Sequence, residues 1–230
     1  MNSLTVVVPI YNEEKFLLNS VNRLLAQNIY KNILLIDNNS LDRSYKIAKH
    51  LEKTNENVIA YKTNNLMGKG VVLAFAKNLI SSTHVVIHDA DLEYFPEDIV
   101  KMFDIARKHP DSLILGSRFI GVRSRKNIYL RTYFANKIMS QIFSIVNFYK
   151  VTDVASCYKL FPTDFYKNIN INEKGFSVEI ELLSKFLKYN KSIIETPIKY
   201  EGRSYDEGKK IKAVDGLFYI LNTLRYKFFD

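Results

Sequence analysis

Short apolar runs alternate with segments of helical period through the first half of the chain. Leu4-Thr5-Val6-Val7-Val8-Pro9 is apolar almost throughout and reads as a strand. Asn12 is placed to cap a helix with apolar positions at Phe16, Leu17, Val21, Leu24 and Leu25. Glu13 and Glu14 then fall in its first turn, where negative charge suits the helix dipole. Ile33-Leu34-Leu35-Ile36 predicts a second strand ending at Asp37-Asn38-Asn39-Ser40, and a helix follows toward Lys53. Val58-Ile59-Ala60-Tyr61 predicts a third strand. A helix after Gly68-Lys69-Gly70 leads to a fourth strand, His84-Val85-Val86-Ile87, and Leu113-Ile114-Leu115 makes a fifth. Strands without polar alternation, separated by helices, imply a mostly parallel sheet covered by helices on both faces. In such sheets ligands bind outside the carboxyl ends of the strands. Pro9 to Glu13, Asp37, and Asp89-Ala90-Asp91 all fall at strand carboxyl ends and can converge on one crevice.

The chemistry concentrates after the fourth strand. Asp89, Asp91 and Glu93 follow it at alternate positions, and an extended chain would aim all three the same way. Carboxylates this close repel unless a cation lies between them, and oxygen ligands suit Mg²⁺ or Mn²⁺. Asp91 could instead cap the helix that Pro96 opens. His84 and His88 flank the motif, but a histidine in a strand is more often structural.

Composition narrows the class. With 230 residues and 47% hydrophobic content the chain can bury a real core, which excludes global disorder and predicts one domain over residues 1–230. No apolar run reaches a membrane-spanning length. Met1-Asn2-Ser3-Leu4 enters a strand directly and shows no signal-peptide pattern. Cys157 is the single cysteine, which excludes an internal disulfide and suits a reducing cytoplasm.

The charge is unevenly placed. Residues 1–111 are neutral overall, and the whole formal excess of +9 lies in residues 112–230. Between Ser112 and Thr152 no acidic residue occurs, while Arg118, Arg123, Arg125, Lys126, Arg131, Lys137 and Lys150 do. The alternatives are a solvated basic face or an anionic partner: a phosphate, an anionic membrane or a nucleic acid.

The motifs together resemble a known family. Val8-Pro9-Ile10-Tyr11-Asn12-Glu13-Glu14, Asp37-Asn38-Asn39-Ser40-Leu41-Asp42, Gly68-Lys69-Gly70 and Asp89-Ala90-Asp91 look like the family 2 inverting glycosyltransferases of GT-A fold. Gly116-Ser117-Arg118-Phe119, the segment from Asp153 to Phe161, Gly175 to Glu181, and Gly202 to Lys210 are similar to the branch holding the dolichyl-phosphate mannose and glucose synthases. The resemblance implies a nucleotide-sugar-binding half (residues 1–111), a basic acceptor-binding half (residues 112–230), and Mg²⁺ or Mn²⁺ as cofactor. It places Pro9, Tyr11, Glu13 and Asp37 on the nucleoside, although Asp37 alone could equally be a turn residue. It places Lys69 near the diphosphate, Asp89 and Ala90 at the sugar or ribose, and the metal on Asp91 and Glu93. Some relatives carry Gln where this chain has Glu93, and the extra charge should tighten metal binding. Arg118 and Arg131 are placed on the acceptor phosphate, a group of charge about −1.5 to −2 for which Arg forks are suited. A hydroxyl follows the second Arg in relatives, where Ala135-Asn136 stands here. Arg203 and Lys209 lie in a glycine-flanked loop suited to closing over a diphosphate.

Two segments suggest a membrane surface. Residues 128–148 are largely apolar but interrupted by Arg131 and Lys137, which fits an interfacial helix better than a span. Ile211, Val214, Leu217, Phe218, Leu221, Leu224 and Phe228 share one helical stripe, part of which is expected to pack into the core. Without the anchor that some relatives carry, the chain would dock peripherally on the inner membrane face or use an anchored partner. The expected activity is transfer of a hexose from a GDP- or UDP-sugar to a polyprenyl phosphate. The Gly-Lys-Gly and Cys-Tyr-Lys segments lean toward the glucose synthases. A phosphate acceptor needs no general base, whereas a glycan hydroxyl would, with Glu179 and Glu181 as candidates. A basic nucleic-acid-binding module is a further alternative, but no nucleic-acid motif is present.

Overall fold

β1 (Leu4–Ile10) is flanked in parallel by β2 (Tyr30–Asp37) and β4 (His84–Ile87), and β3 (Val58–Lys62) extends the sheet beyond β2. Beyond β4 lies β7 (Lys159–Pro162), antiparallel both to β4 and to β5 (Leu113–Ser117). β8 (Ile193–Pro197) closes the far edge parallel to β5. Among the described residues this gives a seven-stranded sheet in the order β3-β2-β1-β4-β7-β5-β8. A two-stranded pair joins β6 (Arg125–Lys126) to β9 (Tyr200–Glu201). The computed structural model describes residues 2–63, 68–121, 125–126, 129–189, 192–203 and 213–229. The expected mostly parallel sheet is present, with β7 as its one reversed strand. β4, β5 and β7 are buried along their whole length, as strands covered on both faces must be.

Register puts the motif loops side by side. Ile10 pairs with Asp37 and Val7 with Ile87, so the chain leaves β1, β2 and β4 at one edge of the sheet. α1 (Leu17–Leu25) and α2 (Ser44–Thr54) follow the first two strands. Asn12 does not cap α1, whose N-cap is Phe16. Asn12 instead adopts φ +51° and its Oδ1 accepts the Leu41 N–H at 2.8 Å, tying the β1 loop to the β2 loop. Glu14 also leaves the helix turn, its Oε2 accepting the Arg43 N–H at 3.0 Å. Loop-to-loop hydrogen bonds have won over helix capping here, because both loops must be fixed together at the sheet edge.

α3 (Lys69–Ala76) starts where two glycines are required by close approach. A Cβ on Gly70 would lie 1.7 Å from the Glu173 carbonyl oxygen, and Gly68 combines φ +126° with a site 2.1 Å from the Lys174 carbonyl. The Gly70 N–H donates to the Lys174 carbonyl at 2.8 Å. The 173–174 backbone thus docks on the start of α3 and fixes where Lys69 stands. α4 (Pro96–Lys108) carries Pro in its first turn with Glu97 and Asp98, as expected of a helix start.

α5 (Leu130–Asn147), α6 (Thr163–Asn168), α7 (Val178–Lys188) and α8 (Ala213–Phe228) complete the described helices. α8 packs against α5 and α7. Its inward face is not the apolar stripe but Tyr219, Asn222, Thr223 and Tyr226. Tyr219 and Tyr226 donate hydroxyl hydrogen bonds to the Phe176 carbonyl and Glu173 Oε1, both at 3.0 Å. Phe218, Leu221, Leu224 and Phe228 are exposed, so these four are not the part of the stripe that packs into the core. Ile211 lies outside the described residues, as do the side chains of Val214 and Leu217. α5 is similar: Leu130, Phe134, Ile138 and Ile145 are exposed, at helical spacings that share one face. No helix among the described residues is long and apolar enough to cross a membrane.

Candidate active site

The strand ends and the start of α3 enclose a cavity of about 460 Å³. Pro9, Tyr11 and Glu13 reach it from β1, Asp89, Ala90 and Asp91 from β4, and Lys69 from α3. Glu93, Arg118 and Arg203 line it as well. Two expected residues, Arg131 and Asp37, do not line it, and a third lies outside the described residues. Arg131 is exposed on α5 and does not line the cavity, although Thr132 and Asn136 of the same helix do. Lys209 lies outside the described residues, as does Arg123. Asp37 is fully buried and does not line the cavity; its neighbour Asn38 does. Asp37 Oδ2 accepts the Ser40 N–H at 3.2 Å, while Oδ1 meets no donor among the described residues. Asn38 Oδ1 accepts the Gly68 N–H at 2.6 Å and its amide donates to Thr63 Oγ1 at 2.8 Å.

The wall beneath Asp89 is a chain of alternating buried charges. Lys69 Nζ lies 2.8 Å from both Asp89 Oδ1 and Glu179 Oε1. Lys159, fully buried, binds the other Glu179 oxygen and donates to the carbonyls of Val154 and Ser156. Burial alone would raise the Asp89 carboxyl, but the Lys69 ammonium outweighs it and holds Asp89 below the usual range. Burial likewise works against the Lys69 charge, and the Asp89 and Glu179 carboxylates and the nearby Cys157 reverse that, raising it well above the ordinary lysine value. Glu179 is therefore an ion-pair partner with both oxygens engaged, not an available base. Glu181 is equally committed: Oε1 accepts the Asn172 N–H and Lys185 Nζ, and Oε2 accepts the Glu173 N–H, which fixes the loop that docks on Gly70. His88 lies buried between Ser20 Oγ and Tyr158 Oη, each 3.0 Å away, and burial lowers its pKa to about 4. It is a neutral structural histidine.

Asp91 and Glu93 do not continue the alternation of β4. The strand ends at Ile87, and Leu92 takes φ +63°, a conformation costly for a bulky residue and typical of functional loops. The turn brings both carboxylates to Arg203. Its Nη2 lies 3.0 Å from Asp91 Oδ2, its Nη1 3.2 Å from Glu13 Oε2, and its Nε 3.6 Å from Glu93 Oε1. Glu93 is further bound by the Arg203 backbone N–H at 2.8 Å and the Tyr200 hydroxyl at 2.6 Å. The crowding is electrostatic: burial, then the Glu93 and Asp89 charges, push the Asp91 carboxyl up to about 8 against the opposing Arg203. Among the described residues no three side chains are arranged to hold a metal by themselves. The donor set nonetheless suits Mg²⁺ or Mn²⁺, which take one or two carboxylates and fill the remaining positions with phosphate oxygens and water.

Arg118 also lines the cavity. Its Nε and Nη2 donate to the two oxygens of Asp153 at 2.7 and 2.8 Å, and its backbone N–H adds a third bond at 2.9 Å. The guanidinium also lies 4.9 Å from the Tyr200 ring centroid. Asp153 and Asn38 carried no site signal in the sequence beyond membership of a motif, and Tyr200 carried none. An arginine held this firmly presents a fixed cation to the cavity.

Arg118→Ala would leave Asp153 as a buried, unpaired charge, which costs about 3–5 kcal/mol. The expected result is a large drop in the urea midpoint, and an Arg118→Ala/Asp153→Asn chain should recover part of it. A midpoint for Arg118→Ala within error of the parent would show that the pair is not held as described.

Comparison with known proteins agrees with this geometry. The glycosyl transferase family 2 model matches residues 5–169. The UDP-N-acetylglucosamine–dolichyl-phosphate N-acetylglucosaminyltransferase of Methanococcus voltae is 30% identical, over 96% of this chain and 95% of its own. The dolichol-phosphate mannosyltransferase of Pyrococcus furiosus is 26% identical over 90% of this chain and 58% of its own. Glucosyl-3-phosphoglycerate synthase of Mycobacterium tuberculosis, solved with Mn²⁺, UDP and glucosyl-3-phosphoglycerate, superposes with a TM-score of 0.74 at 14% identity, covering 98% of this chain and 80% of that one. That last likeness establishes a shared fold. The chain is a glycosyltransferase and belongs to glycosyl transferase family 2, with polyprenyl-phosphate sugar transferases among its relatives.

Proposed function

We propose that this chain, acting as a single domain, transfers a sugar from a nucleoside diphosphate donor to a polyprenyl phosphate at the cytoplasmic face of a membrane. The observation that carries the reading is the cavity itself. Carboxylates from β1 and β4 line it together with Arg118 and with Thr132 and Asn136 of α5, whose outer face is apolar. A donor and a phosphate headgroup can meet there while the prenyl chain stays with the lipid. The lipid-phosphate acceptors named for the two archaeal relatives support it.

In this reading Pro9, Tyr11 and Glu13 hold the nucleoside, with Asn38 lining the wall beside them and Asp37 buried behind it. Asp89, kept ionised by Lys69, orients the sugar, and Ala90 leaves room for it. Lys69 also brings positive charge toward the diphosphate, as would Arg203 and Lys209. When bound at Asp91 and Glu93, a divalent ion supplies charge neutralisation for the nucleoside diphosphate leaving group. Arg118 fixes the acceptor phosphate, Thr132 and Asn136 supply neutral donors, and Arg131 steers the anion from the surface. In the transfer, a phosphate oxygen bonds to the anomeric carbon as the bond from that carbon to the diphosphate breaks, with inversion. No proton has to move, since the acceptor is already an anion. A hydroxyl acceptor would need a base, and both glutamates suited by sequence are engaged in ion pairs.

A donor screen with UDP- and GDP-sugars, Mn²⁺ and a short polyprenyl phosphate tests this. One donor should give an organic-extractable product, EDTA should abolish it, and Asp91→Asn should lower the rate by on the order of a hundredfold or more. Arg131→Ala should raise the acceptor KM in a salt-dependent way, since it removes a surface charge that steers the anion toward the cavity. Full activity in EDTA, or transfer only to glycan hydroxyls, would contradict the proposal.

The membrane part is tested separately. Exposed Leu130, Phe134, Phe218 and Phe228 lie near the exposed basic residues Arg131, Lys137 and Arg225. Each basic residue adds about 1 kcal/mol of attraction to an anionic leaflet at low salt. The protein should sediment with anionic liposomes, release in high salt, and bind less after Phe134→Ser combined with Phe218→Ser. Absence of binding at low salt would favour a soluble acceptor.

A further inference from the structure

Arg203 sits where a cation is wanted. Its guanidinium faces Glu13, Asp91 and Glu93, and its side chain is only 11% exposed. The Phe16 ring centroid lies 5.2 Å from its Cζ. Its backbone is pinned by Glu93, which Tyr200 holds in turn. Both oxygens of Asp91 are already in use, Oδ1 accepting the Glu93 N–H at 3.1 Å and Oδ2 accepting from Arg203. Three carboxyl groups converge on this one guanidinium, and a further cation would still be favoured among them. The oxygen it would take, however, is the one Arg203 holds.

A divalent ion arriving alone must therefore pull Asp91 away from a guanidinium that is nearly buried. Arg203 would keep Glu13 and Glu93 but lose its shortest carboxylate contact, and weakening a nearly buried ion pair is costly. A nucleoside diphosphate arriving with the ion changes that balance. Its phosphate oxygens complete the metal shell and also offer the guanidinium a bidentate anionic partner in exchange. We propose that Arg203 is the chain's own occupant of the cation position at Asp91, displaced onto the diphosphate only when metal and nucleotide bind together. The inference rests on the reading of the cavity as a nucleotide-sugar site. It makes metal and nucleotide affinities interdependent through one side chain, and that coupling is reciprocal.

Free Mn²⁺, read by its paramagnetic resonance signal, measures the coupling without turnover. In the parent chain Mn²⁺ alone should bind weakly, and UDP or GDP should tighten it on the order of tenfold or more. Arg203→Gln, checked for folding by circular dichroism, should bind Mn²⁺ alone on the order of tenfold tighter and show a smaller nucleotide effect. A folded Arg203→Gln with unchanged affinity for Mn²⁺ alone would overturn the inference while leaving the nucleotide-sugar reading standing. If neither nucleotide affected Mn²⁺ binding in the parent chain, the reading of the cavity would fail and the inference with it. A second measurement needs no variant that could unfold. The Arg203 Nε–H resonance of the parent chain, assigned by its loss in Arg203→Lys, should shift with Mg²⁺ plus the nucleotide and stay unmoved by Mg²⁺ alone. A shift with Mg²⁺ alone, or none with both, would overturn it.

Discussion

Asp89, Lys69, Glu179 and Lys159 form a line of alternating charges through the interior, and the site is organised around it. Each ion would be unaffordable alone in that environment, because an isolated buried charge loses its hydration without replacement. Together they neutralise one another and draw in four separate parts of the chain: the end of β4, the start of α3, the start of α7 and the start of β7. The glycines beside Lys69 belong to the same constraint. They let the 173–174 backbone close on α3, and Glu181 and Tyr226 hold that segment from the other side. Packing and electrostatics thus fix the cavity-lining carboxylate Asp89 at once.

The two arginines of the cavity use charge differently. Arg118 is saturated by Asp153 and stays put, a rigid cation suited to facing an anion without rearrangement. Around Arg203 the carboxyl groups outnumber the cation that faces them, so the arrangement is stable but able to exchange its partner. α5 links the cavity to the outside. Thr132 and Asn136 face the cavity, while Leu130, Phe134 and Ile138 face outward. α8 packs beside α5 with its polar and tyrosine side inward. A helix that turns apolar residues outward and hydrogen-bonding residues inward has the opposite polarity from one folded only to cover a core.

Much of the scaffold was legible from hydrophobic pattern alone, because fully apolar strands at regular spacing leave little choice of fold. The first five strands lie where the apolar runs place them, and the motif residues Pro9, Glu13, Lys69, Asp89, Asp91 and Arg203 do converge on one cavity. What escaped depended on contacts between distant segments. Nothing local in Lys159-Leu160-Phe161 indicates that it inserts antiparallel between β4 and β5. Asn12 has the residue type of a cap but is claimed by Leu41, 29 positions away. The carboxylates were expected to point one way by strand alternation, and the left-handed turn at Leu92 broke that rule. Glu179 read as a candidate base because its two lysine partners are remote in sequence. The resemblance placed Arg118 and Arg131 together on the acceptor phosphate, and the structure separates them, with Arg118 buried at the cavity and Arg131 exposed on α5.

A double-mutant cycle in urea between Lys159 and Glu179 tests the buried charge line most directly. Lys159→Met should be strongly destabilising, because it leaves Glu179 short of a counter-ion. Adding Glu179→Gln removes the stranded charge and should recover part of the loss, giving a coupling of about 1–3 kcal/mol, as expected for contacting residues. Additive losses within about 0.5 kcal/mol, the behaviour of independent sites, would contradict the account.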